Sequence, residues 1–284
     1  METYIMINKG SFRSFDIFAE NMDELVEIAI GHIHRVGEIV DTRAGKALQA
    51  YNINYILKKP NKRLHTVRKG AIKYLCRELI AYFNGSLKVD DGLTHASVFW
   101  KKLADENGYI NSNYGYYFFH EKIDSYINQY QWVIYCLTKN RHSRRAIINI
   151  NNTHHKSETK DFPCTVGIIF YIKNDTLFCE VLSRSTDVIT GLPYDMGFFS
   201  FIHELIYIDL IEKGIKNLSL GYTIMKTTFT QIYEHTAHKA QEALSMNYRD
   251  IEMPCISSAL MTYNDIMQQT QNSEIIQWIY ENAK

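Results

Sequence analysis

Cys164 is followed along the chain by Arg184-Ser185-Thr186-Asp187 and then by Gly191-Leu192-Pro193-Tyr194-Asp195. A thiol, a guanidinium and a carboxylate in that order can do covalent chemistry. A thiolate adds to an electron-poor ring carbon, and an arginine beside the thiol favours the thiolate. Cys164, between Pro163 and an apolar stretch, also reads as a small core residue. Arg184, reaching back across a hairpin, favours the nucleophile. Arg144-Arg145 is either a solvated strand start or a clamp whose guanidinium forks match phosphate oxygens. Glu78 lies beside the apolar stripe of its helix rather than opposite it. It is either a rim carboxylate or a half-buried proton relay whose pKa desolvation raises.

These residues need elements to hold them. Leu25, Ile28, Ala29, His32, Ile33 and Val36 fall at helical spacing and predict a helix over Met22 to Val40. Leu48 to Leu57 reads as a strand. Ile72, Leu75, Cys76, Leu79, Ile80 and Phe83 predict a helix over Thr66 to Phe83, stopped by Gly85. A further helix is expected over Lys122 to Leu137. Thr165 to Ile172 and Leu177 to Arg184 read as strands, with Lys173-Asn174-Asp175 as the hairpin turn. Met196 to Lys213 reads as a buried helix and Thr228 to Leu244 as a weaker one. Asp195 would then be a helix N-cap or a functional acid. Past Asn247 the pattern predicts nothing. Helices with paired strands, in no βαβ alternation, predict an α+β fold with a mixed sheet.

Composition sets limits. The chain has 284 residues, which read as one domain over 1–284, with 245–284 divergent; 46% are hydrophobic and 22% charged, enough for an ordinary core. Lys+Arg and Asp+Glu both number 31, so a general nucleic-acid binder is not expected. Five scattered cysteines without a CxxC point to a reduced, cytoplasmic setting. No apolar run is long enough for a membrane span, and the first residues do not read as a signal peptide. His154-His155 reads as an exposed loop. His235 and His238 share a helix face without an evident third ligand, so no metal is expected.

Several segments together resemble thymidylate synthases and the related deoxycytidylate hydroxymethylases, the latter branch most. They are Cys76-Arg77-Glu78-Leu79-Ile80-Ala81-Tyr82-Phe83-Asn84-Gly85, Trp100 with Ala104-Asp105-Glu106-Asn107-Gly108, Asn113-Tyr114-Gly115, Ser143-Arg144-Arg145, Phe162-Pro163-Cys164-Thr165, and Arg184 through Asp195. The resemblance implies a thymidylate synthase-like fold with one sheet face forming a homodimer interface. It implies that Cys164 attacks C6 of a pyrimidine nucleoside monophosphate and that C5 takes the methylene group of 5,10-methylenetetrahydrofolate. Arg184 and Ser185, with Arg144 and Arg145 from a second copy, would hold the phosphate. Arg43 lies near the family's flexible phosphate loop, one residue out of register. Asp187 and Trp100 would face the folate, Tyr114 would sit beside the thiol, and Glu78 would organise proton transfers. Gln231 and Tyr233 would meet the sugar, with Gln231 where the family has His.

Thymidylate synthases carry Asn where this chain has Asp195, and the hydroxymethylases carry Asp. An amide offers a donor and an acceptor and suits uracil. A carboxylate accepts from the cytosine amino group and stabilises a proton on N3. The last residues, Gln277-Trp278-Ile279-Tyr280-Glu281-Asn282-Ala283-Lys284, do not resemble the tail with which the synthases exclude water. The expectation is folate-dependent C5-hydroxymethylation of dCMP, with CMP as the other nucleotide. The alternatives are C5-methylation of dCMP, action on dUMP, and a non-catalytic nucleotide-binding homologue.

Overall fold

The computed structural model describes residues 13–124, 127–156 and 159–284. In chain order the elements are β1 (Phe15–Ala19), α1 (Met22–Val36), β2 (Glu38–Thr42), β3 (Gly45–Leu57), α2 (Ala71–Asn84), the short α3 (Leu93–Ala96), α4 (Gln129–Lys139), β4 (Ile147–Asn149), β5 (Thr165–Lys173), β6 (Thr176–Asp187), α5 (Leu192–Glu212), β7 (Ser219–Tyr233), α6 (Ala237–Ser245), α7 (Ala259–Gln268) and α8 (Glu274–Asn282). The fold is α+β. One mixed sheet runs β1-β3-β7-β6-β5-β4, with β2 paired to β3. The β1–β3 and β6–β7 pairs are parallel and the others antiparallel.

Strand alternation decides which face is covered. Leu177, Cys179 and Val181 of β6 are fully buried beneath α5, whose own Phe198, Phe201, Ile202, Leu205 and Ile206 are also buried. The opposite face carries Tyr171, stacked on Phe178 at 5.4 Å, with Phe178 edge-on to Tyr222 at 5.8 Å. No helix among the described residues is long and apolar enough to cross a membrane.

The hairpin between β5 and β6 forms as expected: Asn174 and Asp175 both take left-handed φ, 50° and 56°, as a two-residue turn between right-twisted strands requires. Gly85, at φ 67°, ends α2. Other boundaries moved. The first helix stops at Val36, and Glu38–Thr42 forms β2 instead. The second begins at Ala71, after Gly70, whose left-handed φ of 77° is incompatible with a helix running through it. The helix expected from Lys122 begins at Gln129, after an Asn128/Gln131 capping box; residues 125 and 126 of that span lie outside the described residues, as does the N-terminal stretch 1–12. The helix expected over Thr228 to Leu244 is replaced as far as Tyr233 by β7, whose run of Thr, Phe and Ile favours a strand, and α6 follows. Past Asn247 the chain builds α7 and α8. Before them, Arg249 donates to the Thr66 carbonyl and Ile256 N–H donates to Glu204, so residues 249–256 strap the start of α2 to α5.

Candidate active site

Cys164 immediately precedes β5, at a bulge. Thr165 opposes Ser183 while Gly167 opposes Leu182, so Val166 is an extra residue. Bulges redirect side chains at strand ends. The Cys164 carbonyl accepts from Arg184 N–H at 2.9 Å and from Ser183 Oγ at 3.1 Å. Ser185 Oγ donates to the thiol sulfur at 3.5 Å. The Arg184 guanidinium donates to the carbonyls of Phe162 (2.7 Å) and Pro163 (3.2 Å) and to Ser185 Oγ (3.2 Å). It therefore grips the turn that presents the thiol. Burial pushes the Cys164 thiol above its ordinary value, and Arg184 and Ser185 draw it back only in part. The expectation that the arginine alone would favour a resting thiolate is corrected: desolvation outweighs it.

Asp161, which sequence reasoning missed, ties this turn to the tyrosine loop. Its carboxylate accepts from Asn111 N–H (2.7 Å), Ser112 N–H (2.8 Å) and Ser112 Oγ (2.6 Å). Tyr114 follows, buried between Phe199 at 5.6 Å and Tyr82 at 5.7 Å. Gly115 is what brings it there: a Cβ at that position would lie 1.7 Å from the Tyr82 carbonyl oxygen. The charges of Asp195 and Cys164 both act on the Tyr114 hydroxyl, which places the three groups within electrostatic reach of one another.

Two carboxyls share the floor. Glu78 is not at a rim: it is 3% exposed, and Tyr74 Oη donates to its Oε1 at 2.9 Å. Burial first, then the charge of Asp195, pushes Glu78 up to about 8 against hydrogen bonds from Tyr74 and Tyr82. Burial pushes Asp195 up to about 7. Asp195 is not the N-cap of α5. Gly191 holds that position, and Asp195 lies in the first turn with its own N–H on the Gly191 carbonyl at 2.9 Å. Among the described residues its carboxylate accepts no hydrogen bond from the protein, and it is only partly buried. Burial thus holds both carboxyls above the ordinary carboxylate range, and the charge of Asp195 adds to the effect at Glu78.

A stability prediction follows. Both carboxyls bind protons more tightly folded than unfolded. As pH rises from the ordinary carboxyl value of 4.5 through about 8, the folded chain keeps a proton on Glu78 that the unfolded chain has lost, so stability falls across that window. Glu78→Gln is expected to raise stability at pH 8 by about 2 kcal/mol, roughly 5 °C in Tm, and to leave it nearly unchanged at pH 4. Thermal unfolding at the two pH values checks this; equal melting at pH 8 would contradict a costly buried charge.

Trp100 lies beside this floor, its indole N–H donating to Tyr74 Oη at 3.3 Å. Tyr74 and Tyr194 rings are 4.4 Å apart. Asp187 caps its own turn, its Oδ1 accepting from Ile189 and Thr190 N–H at 2.6 Å each, while Oδ2 has only a long contact of 3.4 Å with Thr236. Of these rings, Tyr194 is within electrostatic reach of Asp187. Tyr233 is within electrostatic reach of Asp187, Cys164 and Arg184.

Other expected residues stand apart. Gln231 is buried, and its amide donates to Gln49 Oε1 at 2.8 Å. Arg43, in the turn between β2 and β3, donates to the carbonyls of Lys160 (2.8 Å) and Thr159 (3.5 Å), just before the nucleophile segment. Arg144 and Arg145 are exposed ahead of β4; Arg145 lies 5.0 Å over Trp132, and the Arg144 guanidinium has no hydrogen bond among the described residues. His155 is not exposed: it is buried, its Nε2 3.0 Å from Tyr117 Oη.

A thiol beside an arginine, and two carboxyls held above their ordinary range, are carried on this α+β sheet. The family model for thymidylate synthase matches residues 27–278. The thymidylate synthase of Buchnera aphidicola subsp. Acyrthosiphon pisum (strain APS) is 29% identical over 182 residues, 62% of this chain and 69% of that protein. That of Buchnera aphidicola subsp. Baizongia pistaciae (strain Bp) is 28% identical over 145 residues, 50% and 55% respectively. The chain belongs to the thymidylate synthase family.

Proposed function

We propose that the protein is a homodimeric, folate-dependent cytidylate C5-hydroxymethylase, with dCMP favoured over CMP. The observation that carries the base is Asp195: an acceptor without a hydrogen-bond partner among the described residues, whose charge acts on the thiol. Cytosine offers it an amino group and a protonatable N3, whereas uracil would set O4 against it with no donor. A buried unmatched acceptor costs about 1–3 kcal/mol.

Cys164 would add to C6 as its proton leaves, a step that needs the incoming ring because the thiol rests protonated. Asp195 would stabilise the proton on N3, drawing electrons from C6. Tyr114 borders the thiol. Arg184 and Ser185, with Arg144 and Arg145 from a second copy, would hold the phosphate, and Arg43 would approach from its turn. Tyr233 and Gln231 would meet the sugar. Trp100 and Asp187 would hold 5,10-methylenetetrahydrofolate, which supplies the one-carbon unit. Glu78 would accept a proton from water at the new exocyclic carbon. The exposed arginine pair and the aromatic face of the sheet that carries Tyr171, Phe178 and Tyr222 support a dimer with shared sites.

A methyl product is the second reading, favoured by the names of the relatives. The test is incubation with dCMP, CMP or dUMP plus 5,10-methylenetetrahydrofolate, with products identified by mass. A hydroxymethylated cytidylate without dihydrofolate is expected. Turnover of dUMP but of neither cytidylate refutes the base assignment, and dihydrofolate formation refutes the hydroxymethyl outcome. Sedimentation that shows only active monomer refutes the shared site.

A further inference from the structure

The Tyr74 hydroxyl joins two parts of the site that sequence reasoning treated separately. It lies one turn before Glu78 on α2, so the two side chains share a helix face. An indole N–H only donates and a carboxylate only accepts, so the direction of the chain is fixed: Trp100 Nε1–H to Tyr74 Oη at 3.3 Å, then Tyr74 O–H to Glu78 Oε1 at 2.9 Å. The same ring packs on Tyr194 at 4.4 Å, the residue immediately before Asp195. Tyr194 in turn is 3.4 Å from the buried Arg68 guanidinium, which also donates to the Ile189 carbonyl at 2.5 Å. Tyr74 thus touches one acid through its hydroxyl and the turn bearing the other acid through its ring.

We infer that Tyr74 is a positioning residue that aims Glu78 and relays to it the state of the Trp100 wall. The inference rests on the one-carbon transfer reading of this same site but not on which base or product is involved. The phenol proton occupies Oε1, and with the Tyr82 hydrogen bond it fixes the direction in which the carboxylate faces. Glu78 is faced by Tyr74 and Tyr82 from its own helix and by Asp195 from α5; Tyr194 with Arg68 lies behind Tyr74, and Tyr114 lies beyond Asp195. Of these, Tyr74 and Tyr82 stabilise the ionised form, and Asp195 opposes it.

Tyr74→Phe keeps the ring and deletes the relay. In the ligand-free protein, carbon-13 NMR of labelled glutamate carboxyls is expected to show Glu78 titrating about one unit higher than in wild type. In turnover, kcat is expected to fall roughly 30-fold with its rising pH limb moved the same way. Nucleotide KM and thiol-dependent hydrogen exchange at C5 should stay within about threefold. Trp100→Phe, which keeps an aromatic ring but removes the donor, is expected to move the titration in the same direction by less. An unmoved Glu78 titration in a folded Tyr74→Phe protein overturns the inference. So does a loss of C5 exchange as large as the loss of turnover. If wild type turns over dUMP in place of cytidylates, the base assignment fails alone, because the titration shift is read without nucleotide.

Discussion

Replacing Cys164 by serine is expected to reduce turnover by about 10⁴-fold or more while leaving the fold and nucleotide binding near wild type. The geometry explains the size. The sulfur is held at a bulge by its own carbonyl bonds to Arg184 and Ser183, so oxygen would occupy nearly the same place. Oxygen there gains nothing from position, because a hydroxyl gives up its proton far less readily than a thiol. Burial already raises the thiol, and it would penalise an alkoxide more severely. The cleanest measurement is release of tritium from C5 of labelled dCMP without folate, which reports addition at C6 alone. Release by the serine variant at the wild-type rate would remove the nucleophile from the proposal. Circular dichroism and melting separate this result from misfolding.

Asp195→Asn is expected to reverse base choice. Activity on dCMP should fall and activity on dUMP should rise, changing the ratio of their kcat/KM values by about 10³-fold or more. An amide keeps the shape and replaces one acceptor with a donor, which matches uracil O4. Because Asp195 has no protein partner among the described residues, the substitution breaks no internal hydrogen bond, and the change falls on the ligand. The variant also removes a buried ionisable group that burial pushes up to about 7, so the activity that remains should depend less on pH near neutrality. A variant that lost both activities in parallel would show that Asp195 serves the chemistry without choosing the base.

The candidate residues stand out in the sequence because their types are unusual for their surroundings. A proline-flanked cysteine before an apolar strand, and an acid in an apolar helix, stand out whatever the fold. Their partners were less visible. Asp161 looks like a polar loop residue until three donors converge on it. Tyr74, four residues before Glu78, carried the one spacing that could have revealed it. Elements held by local periodicity, such as α2 and the β5–β6 hairpin, were readable. The boundaries that moved were decided at a distance. β3 recruits both β2 and β7 as neighbours, which ends the first helix early and turns the expected late helix into a strand as far as Tyr233. Arg184 reaches back across the hairpin, but its main contacts are backbone carbonyls, which sequence does not display.

The order of strands has a bearing on how the molecule is made. β3 lies between β1 and β7, and β6, which leads to the acid-bearing turn, runs parallel to β7. The middle of the sheet therefore remains unzipped until residue 219 and beyond have left the ribosome, and loops of this span close slowly. The half that holds β1, β2 and β3 joins the half that holds β4, β5 and β6 through this late strand, so the continuous sheet is among the last features the nascent chain completes.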